Sequence, residues 1–274
     1  MKYYVFPKLF QHLTMEEMLE TCAELEISGP TCMVRDGYWV TDENKNTMLP
    51  VLVREAEKRE LEIKYADTVF SMSDIATYEN DIRLLKENGI TQFRLGYVYK
   101  FGDIPLRDLA DTVRRTAAQT AEIAERIGIK AVIQLHGLMY PHNATAAYPI
   151  VKDLNPDYIG IKIDPGNNIA VEGYELFEYQ IPLLSEYVAA IGAKDACMMR
   201  KGNSKAENKG WERMFVPAFE GAINYPEIFK ELKKISFDGP LILMPFYDGD
   251  DFNRLLKNLK REISYFKKIE RELM

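Results

Sequence analysis

Eight times along the chain, a short apolar run rich in β-branched and aromatic residues gives way to a longer amphipathic stretch. A strand, a helix and a second strand in succession lay the two strands parallel, with the helix crossing over one face in a right-handed sense. Eight such units close on themselves, so the pattern predicts a single (β/α)8 TIM barrel of the α/β class spanning 1–274. The strands are read at Tyr3–Leu9, Thr31–Arg35, Ile63–Asp67, Gln92–Tyr97, Lys130–His136, Tyr158–Asp164, Ala189–Asp195 and Pro240–Met244. Between them the punctuation is helical. Thr14 with Glu17 forms a capping box, Asn88-Gly89 and Gly128 supply left-handed stops, and Pro105 opens a long helix. An open doubly wound sheet is the competing architecture, but the glycine-rich turn it uses after an early strand is absent: neither GxGxxG nor GxxxxGK[ST] occurs. The stretch 198–211, MMRKGNSKAENKGW, has no periodicity and reads as a long mobile loop over the pocket.

A formal charge of -7 and a pI near 5.3, spread along the helices, argue against a nucleic-acid partner and for a small molecule. The N-terminal segment MKYYVFPKLF lacks the apolar core and cleavage pattern of a signal peptide. No later segment approaches the roughly 18 apolar residues a membrane span needs, so the expected location is cytoplasmic with no membrane partner. Cys22, Cys32 and Cys197 are too far apart for a zinc knuckle and read as free thiols.

In this architecture the C-terminal strand ends build the site, which brings Arg35, Asp67, Arg94, His136, Asp164 and Lys194 toward one pocket. His136, Asp164 and Lys194 are the candidate catalytic residues. An imidazole at the barrel mouth can donate and accept near neutral pH; Asp164, ahead of a Pro-Gly turn, can orient a hydroxyl, act as a base or simply cap its own turn. Of the neighbours Lys194 and Asp195 only one can look inward, and Lys194 is assigned to the pocket, with Asp195 holding the following loop. Arg35 and Arg94, with Arg200 and Lys201 from the loop, supply guanidinium and ammonium groups for a carboxylate or phosphate. One arginine tied to a neighbouring acid inside the barrel is the competing reading. Lys162, His136 and Lys194 join this cationic set, although alternation along IKID points Lys162 outward, which is the competing and favoured reading for it. Trp39 and Trp211, in polar segments, offer aromatic faces for a sugar, and Glu220 could reach in from the seventh loop.

Four stretches together resemble a known family: MVRDGYWVTDEN, ITQFRLGYVYKFG, YIGIKIDPGNN and VPAFEGAINYPEIFKELKKISFDGPLIL. The last carries the most specific spacing, with Gly221, Pro226, Leu232, Phe237, Gly239 and Pro240 in the expected places. The chain is similar to the sugar phosphate isomerase/epimerase family of xylose-isomerase-like barrels. That resemblance implies a divalent metal held by a glutamate, an aspartate, a histidine and a second glutamate on strands five to eight, with the two glutamates moving a proton between adjacent sugar carbons. Carried over residue by residue, Gln134 stands at the first glutamate, Asp164 keeps the aspartate, Gly192 occupies the histidine position, and Met244 or Phe246 takes the last glutamate. Asn167 replaces the histidine of the usual DPGH turn. One ligand in four survives, so no cofactor is expected; any ion bound would be manganese or zinc near His136 and Asp164. Gln134 and Asn167 are left as substrate-binding amides.

Three functions follow. The leading one is an isomerase or epimerase acting on a small carbohydrate or sugar acid with a degenerate metal site. The second is a non-catalytic descendant that binds a sugar or an anion. The third is an abasic-site nuclease, which shares the barrel but needs a histidine-rich zinc cluster that three histidines cannot form. Exposed aromatics near the second and seventh loops make a homodimer one assembly open to the chain.

Overall fold

The computed structural model describes residues 1–97, 105–137, 139–167, 175–200 and 210–273. Its strands are β1 (Lys2–Val5), β2 (Gly29–Pro30), β3 (Cys32–Met33), β4 (Tyr65–Asp67), β5 (Gln92–Arg94), β6 (Lys130–Gln134), β7 (Ile159–Ile163), β8 (Val188–Ala193), β9 (Asp195–Arg200), β10 (Trp211–Val216) and β11 (Pro240–Leu243). Its α-helices are α1 (Met15–Glu24), α2 (Lys45–Glu57), α3 (Glu79–Glu87), α4 (Leu106–Ile127), α5 (Ala144–Val151), α6 (Pro165–Asn167), α7 (Phe177–Leu184), α8 (Tyr225–Lys234) and α9 (Phe252–Leu273).

Nine strand segments form one parallel sheet in the order β2-β1-β11-β8-β7-β6-β5-β4-β3. The first and last segments in that order are two halves of one short strand flanking Thr31, one paired to β1 and the other to β4. The sheet therefore closes, and eight positions around the circle carry parallel strands, as the alternating sequence predicts.

Alternation along each strand sorts the side chains. Val5, Ala66, Phe93, Ala131, Ile161, Ile163, Ile191 and Leu243 point out and join the main core beneath the helices. Tyr4, Tyr65, Val132, Ala190, Ile242 and Met244 point in and fill the barrel, with Phe6 and Phe246 packed against them. Lys162 is fully buried and lies over the Tyr65 ring inside the barrel, which corrects the outward reading. The reason is parity: Lys162 and Asp164 are two apart and share a face, so an inward Asp164 requires an inward Lys162.

Local signals in the sequence hold at the helix ends. The Thr14 hydroxyl accepts from Glu17 N at 3.2 Å, and the Thr14 N–H donates to the Glu17 carboxylate at 2.8 Å. Gly128 ends α4 at φ 78°, where a side chain would be strained. The stretch 198–211, read as a loop, is strand at its two described ends: 198–200 belong to β9 and Trp211 opens β10, and the two pair antiparallel in a ribbon, from Asp195 opposite Val216 to Arg200 opposite Trp211. Lys201 and its neighbours up to 209 lie outside the described residues. No described helix is long and apolar enough to cross a membrane.

Candidate active site

Two charged networks sit at the C-terminal ends of the strands. The first joins β4 to β5. Arg94 is buried and spends its fork on three acceptors: Asp67 Oδ1 at 3.2 Å, the Leu95 carbonyl at 2.9 Å and the Thr68 carbonyl at 2.7 Å. Asp67 also accepts from the Thr31 hydroxyl at 2.7 Å. Arg94 is thus the arginine tied to an acid within the barrel, and its guanidinium is a strut between two strand ends.

The second network centres on Asp164, just past β7 and fully buried. Its Oδ2 accepts from Gln134 Nε2 at 2.8 Å and Asn167 Nδ2 at 2.9 Å and forms an ion pair with Lys194 Nζ at 3.2 Å, while Oδ1 accepts from the Asn167 backbone N–H at 3.2 Å. The last contact caps the turn of α6, so the capping reading of Asp164 holds alongside its part in the network. Asn167 closes the ring by accepting from Lys194 Nζ at 2.7 Å. Gln134 is committed on both sides, because its Oε1 accepts from the Tyr97 hydroxyl at 3.2 Å. Burial pushes the Lys194 ammonium below the usual lysine range, with Asp164 acting in the opposite direction.

His136 is half-buried beside these groups, its ring 4.7 Å from that of Tyr97. A carbonyl oxygen only accepts, so the 2.7 Å contact between Nδ1 and the Gly137 carbonyl places the ring proton on Nδ1 and leaves Nε2 as the basic nitrogen. Desolvation pushes His136 below the usual imidazole range, which keeps it neutral at pH 7.

Lys162 lies one layer deeper. Its Nζ is 3.8 Å from Asp67 Oδ1 and has no hydrogen-bond acceptor. Burial pushes its pKa down. Gly192 accounts for the space the side chain uses: a Cβ there would stand 3.0 Å from Lys162 Cε and 3.0 Å from Met244 Sδ. The histidine position of the family pattern is therefore filled by a lysine stem from the neighbouring strand.

The other sequence-derived residues form no hydrogen bond or ion pair with either network among the described residues. Arg35 is exposed just past β3. Trp39 is half-buried and donates its indole N–H to the Leu13 carbonyl at 3.1 Å, which makes it a wall between the first two loops. Trp211 and Arg200 are exposed at the far end of the ribbon, and Glu220 is exposed in the turn after β10. Asp195 is buried and holds the segment after that ribbon, accepting from the Ala196, Ala222 and Ile223 N–H groups at 2.7, 3.0 and 3.2 Å. Two cations of the mouth carry no signal in the sequence. Lys8 Nζ sits 5.3 Å from the centre of the Phe246 ring and the Arg213 guanidinium 4.3 Å from that of Phe215. Neither is part of a recognisable motif.

A divalent cation does not fit this donor set. Among the described residues no three His, Cys, Asp or Glu side chains gather as a metal site. Of the inherited positions, Gln134 has its amide oxygen occupied, Asp164 is saturated, and the Lys194 ammonium stands on Asp164 where an ion would compete with it.

The model of the xylose isomerase-like TIM barrel family matches residues 67–269. No curated protein matches the chain in sequence. Among solved structures, D-psicose 3-epimerase with D-tagatose from Clostridium cellulolyticum H10 superposes with a TM-score of 0.75 at 11% identity, covering 98% of this chain and 99% of that one. The probable 3-DHS dehydratase AsbF of petrobactin synthesis from Bacillus anthracis gives 0.71 at 15% identity, covering 97% of this chain and 99% of that one. A xylose isomerase-like TIM barrel protein from Mycobacterium smegmatis in complex with magnesium gives 0.67 at 16% identity, covering 96% and 92%. At these identities the likeness is one of fold.

Proposed function

The chain belongs to the xylose isomerase-like TIM barrel family, and we propose on that premise that it is a carbohydrate isomerase or epimerase acting on a small sugar or sugar acid, with a lysine ammonium in place of the family's metal. The observation that carries this reading is Lys194 Nζ, seated between Asp164 Oδ2 at 3.2 Å and Asn167 Oδ1 at 2.7 Å. An ammonium held in a buried site stabilises negative charge developing on a carbonyl oxygen, the electrostatic part of enolisation. The neutral His136, with Nε2 basic, is the group suited to take the proton from the carbon next to that carbonyl. Asp164 is a positioning residue: its three hydrogen bonds and its ion pair orient Lys194, Gln134 and Asn167 and leave it poorly placed to serve as the base. Two of the epimerases that share the fold were crystallised with D-tagatose or in the presence of D-fructose, which supports a small carbohydrate as the class of substrate.

The test is deuterium exchange. Protein treated with a chelator and checked by elemental analysis is incubated in deuterated water with a panel of ketoses, aldoses and sugar acids, followed by NMR. Solvent deuterium entering the carbon beside the carbonyl, lost in His136→Gln, supports the reading. Exchange that appears only on adding manganese overturns the metal-free assignment. Gln134 and Met244 or Phe246 stand where the family's two proton-carrying glutamates are expected, and that loss favours a second reading, a barrel that binds such a ligand without turnover. Saturable binding with no exchange for any member of the panel selects it.

A further inference from the structure

Three rings pave the floor of the barrel mouth. Phe6 follows β1, Phe246 follows β11 and Phe215 belongs to the ribbon; the centroids of Phe6 and Phe246 are 5.9 Å apart, those of Phe215 and Phe246 6.2 Å. Four cationic side chains surround this floor. Lys194 Nζ is 4.8 Å from the Phe215 centre and 5.7 Å from that of Phe246; Lys8 and Arg213 approach the same two rings from outside; Lys162 Nζ lies 5.9 Å from the Phe6 centre.

Among the described residues, charge does not balance there. Lys194 has Asp164, and Arg94 has Asp67. Lys8 and Arg213 form no ion pair with any described residue, although the chain carries seven more acids than bases and pairs many of its other surface cations. Asp248, the acid near Phe215, is engaged with the Phe215 backbone N–H at 2.8 Å. Lys162 is fully buried with no hydrogen-bond acceptor among the described residues, and its nearest carboxylate, Asp67 at 3.8 Å, is shared with Arg94 and the Thr31 hydroxyl. An ammonium so thinly compensated gains from any further negative potential supplied at the mouth.

We infer that the mouth is an anion-selective site, whose ligand carries a carboxylate or phosphate on a short polyhydroxylated chain. The inference deepens the carbohydrate reading and rests on it for the polyhydroxylated part alone. The anion lies over the aromatic floor within reach of Lys8, Lys194 and Arg213, and its field stabilises the charge on Lys162 beneath, an effect that in a low-dielectric interior needs no direct contact. The carbon chain extends toward His136 and Gln134. Such a site would discriminate a sugar acid or sugar phosphate from the neutral sugar of the same stereochemistry.

Isothermal titration of the full chain with glucose, gluconate, glucuronate, glucose 6-phosphate and inorganic phosphate, at low and high salt, tests this. At least one acid or phosphate ester should bind about tenfold or more tightly than glucose, a gap that narrows with salt. Whether gluconate and glucuronate or glucose 6-phosphate binds more tightly identifies the anion. Lys8 and Arg213 are exposed, so the Lys8→Gln/Arg213→Gln double variant should fold normally and lose most of the anion preference; Lys162→Met should reduce it without abolishing binding. Equal binding of neutral and anionic sugars, preference for inorganic phosphate over every sugar, or failure of all these anions to bind overturns the inference. Neutral ketoses that exchange deuterium with this protein while anions do not bind would sink it and leave the isomerase reading standing.

Discussion

Glu262 of α9 is a fully buried carboxylate without a cationic partner among the described residues. It accepts from the Ala218 N–H at 2.7 Å and the Tyr247 hydroxyl at 2.8 Å; burial, with a smaller push from the nearby Asp195, outweighs these two hydrogen bonds and raises its pKa to about 7. The unfolded chain releases this proton near the ordinary glutamate value of 4.5, so between that value and 7 the native state holds a proton that the unfolded state does not. Stability must then fall as pH rises through this window: the contribution is complete below the unfolded pKa and lost above the folded one. At about 1.4 kcal/mol for each tenfold change in proton affinity, the interval amounts to roughly 3 kcal/mol. Glutamine has the same shape, can still accept from Ala218 N–H and carries no charge to desolvate. Glu262→Gln should therefore be about 2 kcal/mol more stable than the parent at about pH 8, after allowing ~1 kcal/mol for the reversed hydrogen bond to Tyr247. Near about pH 5 the two proteins should be nearly equal. Urea unfolding across this range, with midpoint and slope both fitted, measures the difference. A parent whose midpoint does not move with pH, or a variant that is less stable under alkaline conditions, would refute the reasoning.

Further outcomes follow from the same contacts. Asp164→Ala leaves Lys194 buried with only an amide oxygen and should cost about 3 to 5 kcal/mol in denaturant unfolding, whereas the double change Asp164→Leu/Lys194→Met should recover much of it. Gly221→Ala drives a Cβ into the Asp195 carboxyl group and must expel a carboxylate that holds three backbone N–H groups; a loss of about 3 kcal/mol or more in thermal unfolding is expected, and a neutral result would mean the segment after β10 moves freely. Because His136 is held below the usual imidazole range, turnover should stay flat through neutral pH and fall only on the acid side as the imidazole gains a proton; a limb at or above the ordinary histidine value in a pH-rate profile contradicts this.

The barrel is legible because its strands are short, apolar and evenly spaced, and eight crossover units leave one way to close. Asp67, Arg94, Gln134, His136, Asp164, Asn167 and Lys194 can be placed near one another for the same reason: strand ends in a barrel converge whatever the residues are. What the sequence hides is the pairing. Nothing in QFRLGY says that Arg94 turns onto Asp67 and two carbonyls and so has little left for a ligand. Lys162 is misplaced whenever Asp164 is granted an inward direction and the residue two places earlier is not. The ribbon of β9 and β10 escapes notice because its polar residues lack the alternation that a half-buried strand shows, and Lys8 and Arg213 escape because a cation in such a segment carries no sign of the ring it will cover. Gly192 is instructive in another way. From the sequence it is a missing ligand; in space it is the gap through which a lysine reaches the barrel axis.

Phe6 and Phe246 meet with their rings tilted at 47° although nearly the whole length of the chain lies between them. A polypeptide leaving the ribosome N-terminus first therefore cannot assemble this part of the pocket until its last strand has been made. Fragments that stop short of β11 lack Phe246 and should capture nothing, so ligand capture reports that the last strand position of the barrel has been filled.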